Sequence, residues 1–82
     1  MIIKYPISTE KSVKLIQGEN KLVFVVDRAA SKRQIKEEIE LLFNAKVLSV
    51  NTIVTPEAKK RAIVQFSPET PAIDIATKLG LM

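Results

Sequence analysis

The chain has 82 residues, 46% apolar and 27% charged, and its 13 Lys and Arg against 9 Asp and Glu give a net charge of +4. That length supports one domain, spanning 1–82, and so small a domain buries only roughly 60–65% of the surface its unfolded chain exposes, leaving little material to wall a deep catalytic pocket. Cysteine and histidine are both absent, which removes disulfides, thiolate chemistry, and the commonest general base and metal ligand.

No apolar run approaches the ~18 residues of a membrane span, and the opening Met1 to Pro6 is too short and too soon charged to act as a signal peptide. A cytoplasmic protein is expected. The first 61 residues hold 12 of the bases and 7 of the acids, and such a local excess of positive charge suits a polyanionic partner.

Ile2 to Tyr5 is a short apolar start that reads as an edge strand, ended by Pro6, which cannot donate to a ladder. Ser8 or Thr9 can cap a short helix with Glu10 in its first turn. Val13 and Ile16 would share that helix's inner face, and Gly18 would stop it. Leu22 to Val26 is five apolar residues in a row, mostly β-branched, so it reads as a central strand covered on both faces.

Ser31 and Gln34 form a capping box for a helix whose apolar stripe is Ile35, Ile39, Leu42 and Phe43. Arg33–Glu37 and Lys36–Glu40 are spaced to pair across one turn, and Asn44 suits the stop. Val47 to Val54 reads as a strand with Leu48, Val50, Thr52 and Val54 on one face and Val47, Ser49, Asn51 and Ile53 on the other. Thr55 to Ala58 is a turn with proline at its second position. Arg61 to Phe66 returns antiparallel, making a hairpin with a basic tip. Thr70 would cap a last helix with Pro71 at its first position, Ala72, Ile75, Ala76 and Leu79 buried, and Gly80 as its stop. The order is β-α-β-α-β-β-α, an α+β pattern in which helices cover a sheet.

Catalysis finds no support. Ser8, Ser12, Ser31, Ser49 and Ser67 have no histidine to activate them. Glu37, Glu38 and Glu40 read as solvated charges, and two glycines cannot build a phosphate-cradling loop. The basic residues are more informative. Lys32, Arg33 and Lys36, with Arg28 before them, fall in nine residues free of acids. Lys59, Lys60 and Arg61 sit at the hairpin tip, and Lys11 and Lys14 mark the first helix. Asn51 and Thr52 are unusual inside a strand; with Ser49 they suggest a strand face that meets something polar. Phe24, Phe43 and Phe66 all fall on core stripes, so a base-stacking platform is missing, and binding to phosphates and RNA shape is expected rather than binding to unstacked bases. Two destinations remain on these grounds: a scaffold that neutralises RNA phosphates, or a protein-interaction module that docks through Glu10 or the face bearing Glu37, Glu38 and Glu40.

Four segments carry a resemblance. Pro6-Ile7-Ser8-Thr9-Glu10-Lys11-Ser12 resembles a Pro-x-x-Ser/Thr-Glu-Lys-Ala/Ser signature. Phe24-Val25-Val26 followed by Ala29 to Lys36, Leu42 to Val47 followed by Val50-Asn51-Thr52, and Lys59 to Val64 are similar to further blocks of the same family, the large-subunit ribosomal protein L23 in its short archaeal-type form. The sequence departs from the family at Ala45, where valine is usual, at Gln34, where an acid is usual, and in a hairpin loop much shorter than the bacterial extension.

The resemblance implies a four-stranded antiparallel sheet of order 1-2-4-3. It also implies a structural constituent of the large ribosomal subunit that binds rRNA near the polypeptide exit tunnel. On it, Lys11, Lys32, Arg33, Lys36, Lys59, Lys60 and Arg61 would meet phosphates, and Ser49, Asn51 and Thr52 would make polar contacts to RNA. Glu10 would lie toward a docking platform for nascent-chain factors such as the signal recognition particle. Neighbouring large-subunit proteins are implied partners; no cofactor, metal, small-molecule substrate or membrane is expected.

Overall fold

The structure, a computed structural model, describes residues 2–81. Its elements are β1 (Ile3–Pro6), α1 (Glu10–Glu19), β2 (Lys21–Val26), α2 (Lys32–Phe43), β3 (Val47–Val54), β4 (Lys60–Phe66) and α3 (Ala72–Lys78). The four strands form one antiparallel sheet in the order β1-β2-β4-β3.

The apolar run of β2 becomes the inside of this sheet. Leu22, Phe24 and Val26 point into the main core with Ala62, Val64 and Phe66 of β4, Ile35 and Ile39 of α2, and Ile75 of α3. Val23 and Val25 are buried as well, and by alternation they point to the opposite face. Each of the large side chains removed from water here contributes about 1.5–3 kcal/mol. The expected two-sided burial of this strand is what the structure has.

Both long helices begin with reciprocal caps. Thr9 Oγ1 accepts from Ser12 N at 3.2 Å while Ser12 Oγ accepts from Thr9 N at 2.7 Å. Ser31 and Gln34 do the same for α2. Both helices end on asparagine in the left-handed region, Asn20 at φ 56° and Asn44 at φ 49°. Asn20, not Gly18, therefore stops α1, and Gly18 lies within the helix. The first helix also buries Ser12 with Ile16, while Val13 is only half-buried. Because its hydroxyl is used up by the cap, Ser12 can be buried without an unmet hydrogen bond.

Three further expectations are corrected. Leu42 is 49% exposed although it lies on the predicted stripe, whereas Phe43 turns in and stacks on Phe24 with centroids 6.2 Å apart. Arg33 pairs with Glu37 at 3.3 Å, but Glu40 does not pair with Lys36; its Oε2 accepts from Val47 N at 3.2 Å, closing the turn from α2 into β3. Strict alternation fails in β3, where the register shifts between Val47 and Ser49. That bulge puts Val47 and Val50 on the same, buried side and leaves Leu48 exposed.

The last helix begins at Ala72, and its cap is not Thr70. Thr70 Oγ1 accepts from Lys46 N, and the first amide of α3, Ala72 N, donates to Asn20 Oδ1 at 2.6 Å. Asn20 Nδ2 donates to the carbonyls of Phe66, Ser67 and Thr70 at 3.0, 3.1 and 3.3 Å. One side chain thus joins the end of α1, the end of β4 and the start of α3. The helix closes as expected: Gly80 has φ 76°, its amide reaches Thr77 O, and Leu81 N donates back to Ala76 O at 2.9 Å.

Candidate nucleic-acid interface

The sheet register gathers the basic residues at one end. Val26 pairs with both Ile3 and Lys60, and Lys60 pairs with Val54. The start of β1, the end of β2, the β3–β4 loop and the segment leading into α2 therefore lie side by side. Lys60 Nζ donates to Ala30 O at 2.6 Å, fastening the hairpin base to the turn before α2. Lys32 and Arg33 open α2 at this same end, with Lys36 one turn on. Lys59 stands at the hairpin tip. Arg28, between β2 and α2, and Lys4 of β1 are exposed there too. They were not among the expected contact residues, and Arg28 had the plainer signal, since it belongs to the same acid-free run.

Lys11, Lys32, Lys36, Lys59 and Arg61 are exposed, and among the described residues none of them forms an ion pair. Arg33 shares its charge with Glu37. The turn itself is built for exposure. Ala58 N donates to Thr55 O at 2.9 Å, Thr55 N to Lys59 O at 2.8 Å, and Ala58 sits at φ 62°. Glu57 is the acid in this tip. Its own backbone amide, then the Thr55 hydroxyl, then Arg61 and Lys59 hold its carboxyl below the usual carboxylate range, so it stays ionised and offsets one cation.

The polar residues of β3 divide. Cross-strand pairs place Ser49 beside Gln65, Asn51 beside Ile63 and Ile53 beside Arg61, all on the face opposite the main core. Ser49 Oγ lies 3.3 Å from Gln65 Oε1 in a hydrogen bond. Asn51 is exposed. Thr52, paired with the buried Ala62, projects to the core side and is half-buried. The structure thus brings Ser49, Asn51 and Arg61 together on one sheet face and separates Thr52 from them.

On that face α1 and the sheet enclose a cleft of about 170 Å³. Leu15, Val23, Ile53 and Ile63 form its apolar walls, and Lys11 and Arg61 stand at it with Thr9 and Ser12. Glu10 is exposed in the same first turn of α1. Sequence reasoning singled out Lys11 and Arg61 separately; their convergence depends on how α1 lies over β2, the strand beside β4, which no local pattern encodes.

The other flank of α2 has a different character. Gln34, Glu37, Glu38 and Leu41 line a shallow groove with Ile2, and Leu41 is 84% exposed. The helix is therefore basic along Lys32 and Lys36 and acidic and apolar along the side next to β1. Among the described residues no cluster of acidic side chains is arranged to hold a metal ion, and no helix is long and apolar enough to cross a membrane.

The sequence model of the family described as ribosomal protein L23 matches residues 1–74. The chain belongs to that family. It is similar to the large ribosomal subunit protein uL23 of Pyrobaculum aerophilum, with 46% identity over 81 residues that span 99% of this chain and 100% of the relative. The matched residues include the whole basic end and the sheet face described above, and the strand order β1-β2-β4-β3 is the one that the family resemblance implied.

Proposed function

We propose that the chain is an rRNA-binding structural constituent of the large ribosomal subunit, placed near the polypeptide exit tunnel. The observation that carries this reading is the assembly, at one end of the scaffold, of cations that form no ion pair among the described residues: Lys32 and Lys36 on α2, Lys59 at the hairpin tip, and Arg61 on the adjoining sheet face with Lys11 of α1. Phosphate contacts from such a surface fix orientation on RNA, and polar side chains such as Ser49 and Asn51 can reach 2′-hydroxyls from the sheet. Lys60, with one N–H committed to Ala30 O, has two left for phosphate. Thr52, half-buried on the core side, stands outside this contact set. Glu10 remains free for the docking of nascent-chain factors such as the signal recognition particle.

Salt dependence tests the reading. If ~5 phosphates are neutralised, the logarithm of affinity for large-subunit rRNA falls with the logarithm of salt at a slope of ~−3.5 to −4.5. Replacing Lys59 and Lys60 together with alanine is expected to lower affinity and flatten the slope by roughly 1 to 2. An unchanged slope would count against the assignment.

A second reading is favoured by the groove between α2 and β1. Its glutamates and the exposed Leu41 suit a basic protein segment rather than RNA, and on a ribosome this contact is compatible with the first. Glu37→Lys combined with Glu38→Lys should weaken such a protein contact while leaving rRNA affinity equal or higher; loss of rRNA affinity instead would sink it.

A further inference from the structure

From the cleft between α1 and the sheet, we infer that the chain takes one unstacked nucleotide of its RNA partner, with the base against Leu15, Val23, Ile53 and Ile63 and the phosphate on Lys11 and Arg61. The inference rests on the rRNA-binding reading and deepens it. It also reverses the expectation, drawn from the missing aromatic platform, that bases are left unread.

Three observations support it. The first is size. At about 170 Å³ the cleft is below the ~300 Å³ at which pockets for drug-sized ligands begin, so it has room for one ring system and no more. The second is composition. Its walls are aliphatic, while the only charges that line it are the cations Lys11 and Arg61, and neither is paired with an acid among the described residues. A planar apolar body bearing an anion has the complementary character. The third is register. Arg61 lies opposite Ile53, and Ile63 opposite both Asn51 and Val23, so each of these pairs has its Cβ atoms about 5 Å apart and Asn51 stands diagonal to Arg61 at about 7–8 Å, within reach of its long side chain. Asn51 at the margin supplies a donor and an acceptor for a base edge or a ribose hydroxyl. Ile53 is 51% exposed, which leaves apolar surface for a base to cover. An acidic, aromatic peptide side chain shares part of this chemistry, but the neighbouring Ser49, Asn51 and Gln65 continue the face as a polar track suited to the sugar-phosphate chain on either side of the extruded residue.

The test uses the full chain with labelled methyl groups. Adenosine monophosphate is expected to shift the methyl resonances of Leu15, Val23, Ile53 and Ile63 by ring current, whereas inorganic phosphate at equal concentration perturbs only the neighbourhood of Lys11 and Arg61. With large-subunit rRNA, Ile53→Asn should weaken binding about tenfold, the cost of uncovering one aliphatic side chain, at an unchanged salt slope. Arg61→Gln should instead flatten the slope by about 1. Identical responses to the nucleotide and to phosphate, with rRNA affinity untouched by Ile53→Asn, would overturn the inference while leaving rRNA binding intact. Failure of the unmodified chain to bind rRNA at low salt would overturn both. If a Phe- and Glu-containing peptide moves the same methyls at lower concentration than the nucleotide, the cleft belongs to a protein partner and the inference is wrong.

Discussion

At Asn20 a single carboxamide reaches three carbonyls with its two N–H groups and accepts the first amide of α3, while its own backbone holds φ at 56°. Alanine there would lose about 1 kcal/mol for each hydrogen bond and a further ~1 kcal/mol for the left-handed backbone. With four such bonds and the backbone together, Asn20→Ala is expected to cost about 5 kcal/mol in chemical denaturation, and Asn20→Gly to recover roughly the backbone part only. Ala58 presents the opposite case. It occupies φ 62° in the hairpin turn and is exposed. Ala58→Gly should stabilise the fold by about 0.5–1 kcal/mol, read as a higher denaturation midpoint, because glycine has no Cβ penalty in that region.

Among the elements, α2 shows best what periodicity can and cannot tell. Ile35 and Ile39 are fully buried as their spacing predicts, but Leu42 on the same stripe is half in solvent, and Phe43 beside it fills the core against Phe24 instead. Ile39→Ala is expected to cost about 2–5 kcal/mol, whereas Leu42→Ala should stay near 0.5 kcal/mol; equal losses would mean that the helix end is packed more deeply than its exposure indicates. The hydrophobic run of β2, the capping box at Ser31 and the Gly80 closure were legible because each is encoded within a few residues. The stop at Asn20, the cap of α3 and the bulge after Val47 were not. They depend on partners 46 to 52 residues away or on a register shift against β4, and local sequence carries neither. The same holds for the interface: the basic runs were visible as charge, while the meeting of Lys11 with Arg61 and the separation of Thr52 from Asn51 came from tertiary placement.

Over the whole molecule, charge is sorted only in part, since Lys21 and Lys46 lie at the far end of the sheet. The cationic end lies around the hairpin and the start of α2, and the acids Glu37 and Glu38 line the groove beside β1. With no histidine in the chain, no side chain has its ordinary titration between about pH 5 and 8. Stability and rRNA affinity are expected to be flat from about pH 5.5 to 7, and a step in that range would show a titrating group that the sequence does not supply. The acid limb differs. The carboxyl of Glu57 is held low by its own amide and Thr55, so its contribution is present above the unfolded carboxylate pKa of about 4.3 and is lost only as pH falls through the lower folded value. In an acid titration followed at the hairpin, Glu57→Gln should remove that late loss and add a unit of positive charge to the tip. The Asn20 junction also sets an order of events during synthesis. Its carboxamide has no completed set of partners until residue 72 has been made, and β2 cannot acquire its second neighbour until Lys60 to Phe66 has followed. The most apolar strand of the nascent polypeptide therefore waits with one neighbour, β1, while the segment from Asp27 to Phe66 is added.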